Sequence, residues 1–310
     1  MSRGSCTLYV GTSCELSGGR RASERKLSNR RLSEALPSET GLKLSESYST
    51  PASVRQDPHI HFAHGGQADF RGRNGVYYNF FSSPRMSVNV KTEDASFRLH
   101  GGKLIVHGSF LTEVHIVGYT NAHTLAHASF WAAELNRENW GWTVINGTCK
   151  SRYFVFGRRG RKQCGDLAIT MSMSTANFTL GSWTVTARGN HVYDWLAGPK
   201  HRVDVSFAVR GDAAARSLPH GIIGQSFSSA APRHGLLDAY PEAGNITTSA
   251  MAEGAIEGQA TLYEMPSSHA TDFLFSRFGK REETLGGVRG GIAGSLLLSR
   301  EPGTVDAAAD

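Results

Sequence analysis

Three short segments decide how this chain folds: Asp57-Pro58-His59-Ile60-His61-Phe62, then Asp69-Phe70-Arg71-Gly72, then Val76-Tyr77-Tyr78-Asn79-Phe80. The third is an aromatic run with the length and composition of a β-strand, and Pro and Gly residues that favour turns punctuate the first two. The chain before them is rich in Ser, Arg, Gly and Glu and poor in large apolar residues. We therefore predict that the folded domain opens at Asp57.

The two ends of the chain have the composition of tails. Residues 1–56 cannot bury enough apolar surface to offset the entropy of ordering, so we predict a disordered tail there. This tail carries nine Lys or Arg against five Glu, which gives +4 of the chain's net charge of +6. Residues 280–310 are rich in Gly and Ala without a hydrophobic period, which predicts a flexible C-terminal tail. The domain between the tails is nearly neutral, which argues against a nucleic-acid partner.

Between the tails, segments rich in Val, Ile, Thr, Phe and Tyr alternate with Gly, Asn and Pro at intervals of about ten residues, a texture that predicts an all-β, antiparallel, sandwich-like domain over residues 57–279. Gly101-Gly102 predicts a hairpin loop, and Arg188-Gly189-Asn190 predicts a short turn. A helix is predicted only at 123–135, where the alanines also fit a pair of strands. The predicted strands are 76–81, 87–90, 96–99, 103–107, 112–117, 142–145, 153–156, 167–173, 183–187 and 203–209.

Two of the four cysteines, Cys149 and Cys164, lie in the domain. The segment between them has its midpoint at Phe156-Gly157, so a hairpin turning at 157–160 would set the two thiols opposite each other. We predict a Cys149–Cys164 disulfide, which would stabilise the fold by about 3 kcal/mol in an oxidising compartment. The alternative is a pair of free, buried thiols.

The three opening segments resemble the start of von Willebrand factor type D-like modules. Further on, His220-Gly221-Ile222-Ile223-Gly224-Gln225, together with 181–186 and 203–209, is similar to the C-terminal region of inter-α-trypsin inhibitor heavy chains and to plant root-cap domains. The resemblance covers residues 57–227 and implies a non-catalytic, extracellular or cell-surface binding or adhesion module without a cofactor. Because type D modules carry many more cysteines, assembly through inter-chain disulfides is not implied.

In inter-α-trypsin inhibitor heavy chains the Asp-Pro bond is cleaved, and the freed Asp becomes ester-linked to a glycosaminoglycan. An Asp carboxylate can attack its own carbonyl, and the proline nitrogen leaves more readily than an ordinary peptide nitrogen. The resemblance therefore implies self-processing at Asp57-Pro58, with His59 as a proton donor. The alternative is that Asp57-Pro58 is only the entry into the first strand.

His59, His61 and His64 form a second candidate site. On a strand, His59 and His61 share a face, as imidazoles do in metal sites on β scaffolds, and His64 or Asp69 would be a third ligand. A divalent-metal-binding protein or metal-dependent enzyme is therefore the alternative function. The spacing of His123 and His127 is that of a zinc protease, but the Glu that would act as the general base is absent.

The segment Arg158-Arg159-Gly160-Arg161-Lys162 is densely basic. At a hairpin tip, its side chains would suit the sulfate and carboxylate groups of acidic glycans. We predict that Arg158, Arg159, Arg161 and Lys162 contact a glycosaminoglycan-like glycan or a matrix protein. The alternative is a solvated turn that prevents pairing with another sheet. The segment has no interleaved aromatic residues, which again disfavours nucleic acid.

Three N-x-Thr sequons, at Asn146, Asn177 and Asn245, favour an extracellular or cell-surface setting. The chain has no apolar run long enough to span a membrane. Its start lacks the layout of a signal peptide, so secretion would need a leader that is missing from this chain. The alternative is a cytoplasmic protein regulated by phosphorylation at Ser23 and Ser33, each of which follows an Arg-Arg pair.

Overall fold

The computed structural model describes residues 51–136 and 144–281. Regular structure in these ranges is almost entirely antiparallel β, which confirms the predicted all-β class. The helical elements are α1 (Ala213–Ser217) and short 3-10 turns at His100–Gly102, Ala132–Asn136, Gly224–Phe227 and Ala260–Tyr263. The strands are β1 (Ala52–Arg55), β2 (His59–His61), β3 (Gln67–Asp69), β4 (Tyr77–Ser82), β5 (Met86–Leu99), β6 (Leu104–Tyr119), β7 (Leu125–Trp131), β8 (Ile145–Cys149), β9 (Arg152–Phe156), β10 (Arg159–Cys164), β11 (Leu167–Ser172), β12 (Thr175–Leu180), β13 (Trp183–His191), β14 (Trp195–Ala197), β15 (His201–Val209), β16 (Gly244–Thr247) and β17 (Glu264–Met265).

The strands form two sheets. The eight-stranded sheet has the order β10-β11-β12-β13-β15-β1-β2-β3, and the nine-stranded sheet has the order β17-β4-β5-β6-β7-β8-β9, with β14 beside β5 and β16 parallel to β6. Their apolar faces pack on each other. The Phe81 ring of one sheet lies 5.7 Å from the Phe207 ring of the other and 4.5 Å from that of Trp183. This arrangement is the predicted sandwich-like architecture.

The folded part begins before the predicted boundary at Asp57. Strand β1 pairs with both β15 and β2, and the side chains of Ala52 and Val54 are fully buried between the sheets. The predicted boundary of the disordered tail at residue 56 is therefore wrong, because residues 52–55 already belong to a strand. A four-residue strand in a Ser-rich context is too short to show a periodicity in the sequence.

Glycine at position 189 has a different role from the predicted turn. Residues 188–190 lie inside β13, and Gly189 is buried. A Cβ at this position would lie 2.0 Å from Cδ1 of Leu135. The glycine therefore permits close packing in a continuous strand, which a turn motif cannot reveal.

The other differences concern where strands stop. The predicted pairs 87–90 with 96–99 and 103–107 with 112–117 are single long strands, β5 and β6, joined at the predicted Gly101-Gly102 loop. The predicted helix at 123–135 is instead strand β7 followed by a 3-10 turn. Alanines on β7 are buried beside neighbouring strands, so their helix propensity is overridden by packing.

A disulfide joins Cys149, at the end of β8, to Cys164, at the end of β10, with the two Cα atoms 5.8 Å apart. The predicted pairing is confirmed, but the hairpin predicted to create it is absent. Strands β9 and β10 belong to different sheets because the chain crosses between the sheets at Gly157-Arg158. The disulfide is thus a link between the two sheets along one side of the sandwich.

The segment after β17 covers the outer face of the nine-stranded sheet. The Asn89 amide donates to the carbonyls of Ser268 and Ala270, at 2.9 and 2.8 Å, and the Ser129 hydroxyl lies 3.0 Å from Nε2 of His269. Asn89 and Ser129 are consequently buried although they are polar. On the outer face of the eight-stranded sheet, by contrast, side chains at both edges are exposed, among them Arg161 and Gln67.

Candidate functional site

One uninterrupted polar row crosses the outer face of the eight-stranded sheet from edge to edge. Side chains alternate between the two faces of a strand, so residues paired in register share a face. Every strand contributes one polar side chain to this row. Its members, in strand order, are Arg161, Thr170, Asn177, Thr186, Ser206, Ser53, His61 and Gln67.

A second row runs parallel to the first. It places basic side chains at Arg159 on β10 and at Arg188 on β13, both exposed. Between them stand Ser172 and Thr175, and Asp204 follows on β15. A hydrogen bond of 2.7 Å from the Asn190 amide to Asp204 Oδ2 also shows that β13 and β15 present side chains on the same face.

The structure divides the predicted basic segment in two. Arg159 and Arg161 are exposed on the polar face, at its β10 edge. Arg158 instead donates to the carbonyl of Leu135, and the Lys162 Nζ lies 5.6 Å from the ring centroid of Phe154. The prediction that all four side chains project from a hairpin tip is therefore wrong. Arg159, Arg161 and Lys162 lie on the edge strand β10, which Arg158 directly precedes, and alternate side chains of a strand point in opposite directions.

Two adjoining cavities lie at the other end of this face, where the irregular segment 237–240 approaches β1, β2 and β3. Their volumes are about 590 and 300 Å³. Gln56, His59, Arg202 and Tyr240 line both, so these residues stand where the cavities meet. The cleft is thus formed by residues far apart in the sequence.

His59 is held by the carboxylate of Asp69. Its Nδ1 lies 2.6 Å from Oδ1 of Asp69, whose Oδ2 accepts a hydrogen bond of 2.8 Å from the backbone N–H of Asp238. Because an ionised carboxylate can only accept, Nδ1 carries the proton, and Nε2 of the neutral ring has a free lone pair. The hydrogen bond to Asp69 raises the pKa of His59. One third of the imidazole side chain is exposed, so the ring is both oriented and accessible.

Asp57 is buried beside this pair. Its Oδ2 accepts a hydrogen bond of 2.8 Å from the Tyr240 hydroxyl, and its Oδ1 accepts one of 3.4 Å from the N–H of Ser109. Burial raises the pKa of the Asp57 carboxyl to about 6. Attack of this carboxyl on its own carbonyl would turn its oxygens away from these two donors. Self-processing at Asp57-Pro58 stays a prediction.

The predicted metal ligands do not converge. Within residues 51–136 and 144–281, no group of three or more His, Cys, Asp or Glu side chains is arranged to hold a metal ion. His59 is bonded to Asp69, while His64 lies in a turn after β2 with a positive φ of 62°. The predicted triad of His59, His61 and His64 is therefore not formed.

The sequons differ in accessibility. Asn245 is exposed on β16, whereas Asn146 and Asn177 are half-buried within strands. The Asn177 side-chain oxygen also accepts a hydrogen bond of 2.7 Å from Thr186. Asn245 is thus the sequon best placed for modification.

The predicted phosphorylation sites, Ser23 and Ser33, lie outside the described residues. None of the helices in the described ranges is long and apolar enough to cross a membrane.

Comparison with protein-family models gives no match, and comparison with curated proteins gives none either. The resemblance to von Willebrand type D-like modules therefore stays a prediction, and the function has to be argued from the residues. Several residues of the site, among them Arg188, Arg202, Asp238 and Tyr240, were not predicted from the sequence. Arg188 was assigned to a turn, and Asp238 and Tyr240 lie in a segment without a recognisable motif.

Proposed function

We propose that the protein is an extracellular or cell-surface module that binds an acidic glycan across the outer face of the eight-stranded sheet. The observation that carries the proposal is the placement of Arg159, Arg161 and Arg188 on one polar face that no described segment covers at that end. The proposal keeps the predicted partner class and moves its contact surface from a hairpin tip to a sheet face.

The chemistry of this face suits a glycan. Hydroxyls and amides such as those of Thr170, Asn177 and Thr186 donate and accept hydrogen bonds, as sugar hydroxyls do. Arginine forks bind carboxylate and sulfate in two-point contacts. A row of eight strands is roughly 34 Å long, since strands lie about 4.8 Å apart. An extended chain of several sugars can lie along such a row.

The disulfide supports the extracellular setting. Bonds such as Cys149–Cys164 form and persist in oxidising compartments and are rare in the cytosol. The exposed Asn245 sequon is consistent with the same route.

The proposal is tested by salt elution from heparin and polygalacturonate resins. The triple variant Arg159→Ala, Arg161→Ala and Arg188→Ala should bind about tenfold more weakly, since exposed ion pairs contribute about 0.2 to 1 kcal/mol each. The matched control is Lys103→Ala, Arg152→Ala and Lys280→Ala, which removes the same charge from exposed positions outside this face. Equal weakening in both variants would mean that only net charge matters, and unchanged elution of the first variant would overturn the proposal.

A further inference from the structure

The cleft at His59 has features that simple binding to the sheet face does not require. His59 and Tyr240 stand where the two cavities meet, with their ring centroids 5.8 Å apart. A glycan that entered the cleft would place one sugar in each cavity, and the bond between the sugars would lie beside this pair. Groups positioned on both sides of a bond can assist its cleavage.

Polysaccharides of 4-linked uronic acids are reactive at C5, the carbon that bears the carboxylate. The C5 proton is acidic because it is adjacent to the carboxyl group, and its loss can expel the oxygen at C4. This elimination requires a base at C5, a cation near the carboxylate and an acid at the leaving oxygen. It needs neither water nor an oxidant.

The cleft supplies the base. The bond from Asp69 fixes the tautomer of His59 and leaves Nε2 with a lone pair, and the ring is one third exposed. The carboxylate partner also raises the pKa of the imidazole, which makes it a stronger base in its neutral form. Asp69 therefore orients His59 as a carboxylate orients the histidine base in other proton-transfer sites.

The cation and the acid line the same cavity. Arg55 lies directly opposite His59 in the register of β1 and β2 and is exposed, with no ion-pair partner among the described residues. The Tyr240 hydroxyl is held by Asp57 at 2.8 Å. Burial and the nearby Asp57 charge raise the pKa of Tyr240, so the hydroxyl carries a proton at neutral pH; this proton is donated to Asp57 in the structure and has to be redirected to the leaving oxygen.

We propose that this cleft cleaves 4-linked polyuronates by β-elimination, with His59 as the base, Arg55 neutralising the carboxylate and Tyr240 as the acid. The C5–H electron pair becomes the C4=C5 double bond, the C4–O4 bond breaks, and O4 takes the Tyr240 proton. His59 Nε2 holds the proton from C5, and solvent then exchanges protons to restore both residues. This inference rests on the proposed function and replaces the expectation of a non-catalytic module.

The experiment follows the ultraviolet absorbance of the unsaturated sugar while the full chain is incubated with sodium polygalacturonate, alginate or heparin. The wild-type protein should produce this absorbance with at least one of the three. His59→Gln and Tyr240→Phe should each slow it about 100-fold or more. His123→Gln, which removes an exposed histidine outside the cleft, should leave the rate unchanged.

Asp69 acts as a positioning residue, and a pH profile tests that role. The rate should rise with pH as His59 loses its proton, and in Asp69→Asn the midpoint should move to lower pH because the bond that raises the pKa is weakened. The charged and titratable groups that line the two cavities beside His59 are Arg55, Asp57, His61, Asp69, Arg98, His100, Tyr193, Asp194, Arg202, Asp204, Asp238 and Tyr240. A midpoint that stays in place in Asp69→Asn would contradict the assigned role.

The binding proposal and the cleavage proposal can be tested independently. Salt-sensitive retention on polygalacturonate without any unsaturated product would overturn the cleavage and leave the binding proposal standing. Loss of both would overturn both proposals. Product formation at an undiminished rate in folded His59→Gln and Tyr240→Phe, as judged by thermal unfolding, would also exclude this cleft as the active site.

Discussion

The Tyr240 hydroxyl donates a hydrogen bond of 2.8 Å to Asp57, which ties the irregular 237–240 segment to the turn between β1 and β2. The bond keeps one wall of the cleft in place. It also requires a carboxyl group to be buried, which disfavours the ionised form.

The buried Asp57 should make stability depend on pH. Its pKa is raised from 3.8 to about 6 in the folded protein, so between these values the folded state binds more protons than the unfolded state. Stability from this group is therefore greatest at low pH and falls as pH rises through this window, by an amount of order 3 kcal/mol. In Asp57→Asn this part of the fall should disappear. Urea unfolding at several pH values checks it, and parallel curves for the two proteins would contradict it.

On the covered face of the nine-stranded sheet, stability should change with pH in the opposite direction. His269 stacks on His127, with centroids 4.9 Å apart, and lies near His115. Burial and these neighbours lower the pKa of His269 to about 4. The unfolded state then binds more protons between about pH 4 and 6.5, so this group's stabilisation is lost as pH falls through that window.

We therefore expect residues 264–281 to loosen first in acid. Hydrogen exchange of this segment at pH values on either side of the window measures the effect. His269→Gln, which keeps a polar side chain without the titration, should reduce the difference. Uniform protection of the segment at both pH values in the wild-type protein would contradict the expectation.

The inter-sheet disulfide should contribute substantially to stability. Replacing Cys149 and Cys164 by Ala should lower the free energy of unfolding by about 3 kcal/mol, because the cross-link restricts the unfolded chain. Chemical unfolding of the wild-type protein and the double variant, both without reductant, gives the difference. A change below about 1 kcal/mol would show that packing alone holds the two sheets together along this side.

Arg158 and Lys162 should be dispensable for glycan retention. Their side chains contact Leu135 and Phe154 rather than the polar face. The double variant Arg158→Ala and Lys162→Ala should elute from heparin close to the wild-type protein. Its stability should fall by about 1 kcal/mol, the usual contribution of a hydrogen bond. A loss of retention as large as that of the Arg159, Arg161 and Arg188 variant would restore the original assignment.

The sequence was most informative where a pattern is local. Alternation of apolar residues identified the all-β class and most strands, and the spacing of Cys149 and Cys164 suggested their bond. The sequence could not show that β9 and β10 enter different sheets, because that depends on how distant strands pair. Gly189 was misassigned for the same reason, since the need for a glycine comes from Leu135, a residue distant in the chain.

The candidate site was only partly visible for a related reason. Asp57, His59 and Asp69 lie close together in the sequence and were selected from it. Tyr240 reaches them from 183 residues away along the chain, in a segment without periodicity. No local pattern encodes such a contact.

The segment that follows β17 makes the two outer faces of the sandwich different from each other. On the nine-stranded sheet, the polar groups of the outer face are already engaged by the protein's own backbone, through Asn89 and its two carbonyl partners. An incoming molecule would have to displace that segment before it could reach them. On the opposite side, no segment of the described residues lies over the outer face from β10 to β13, where hydrogen bonds such as that from Thr186 to Asn177 join neighbouring strands. The two outer faces of the sandwich therefore differ in what a ligand would have to displace.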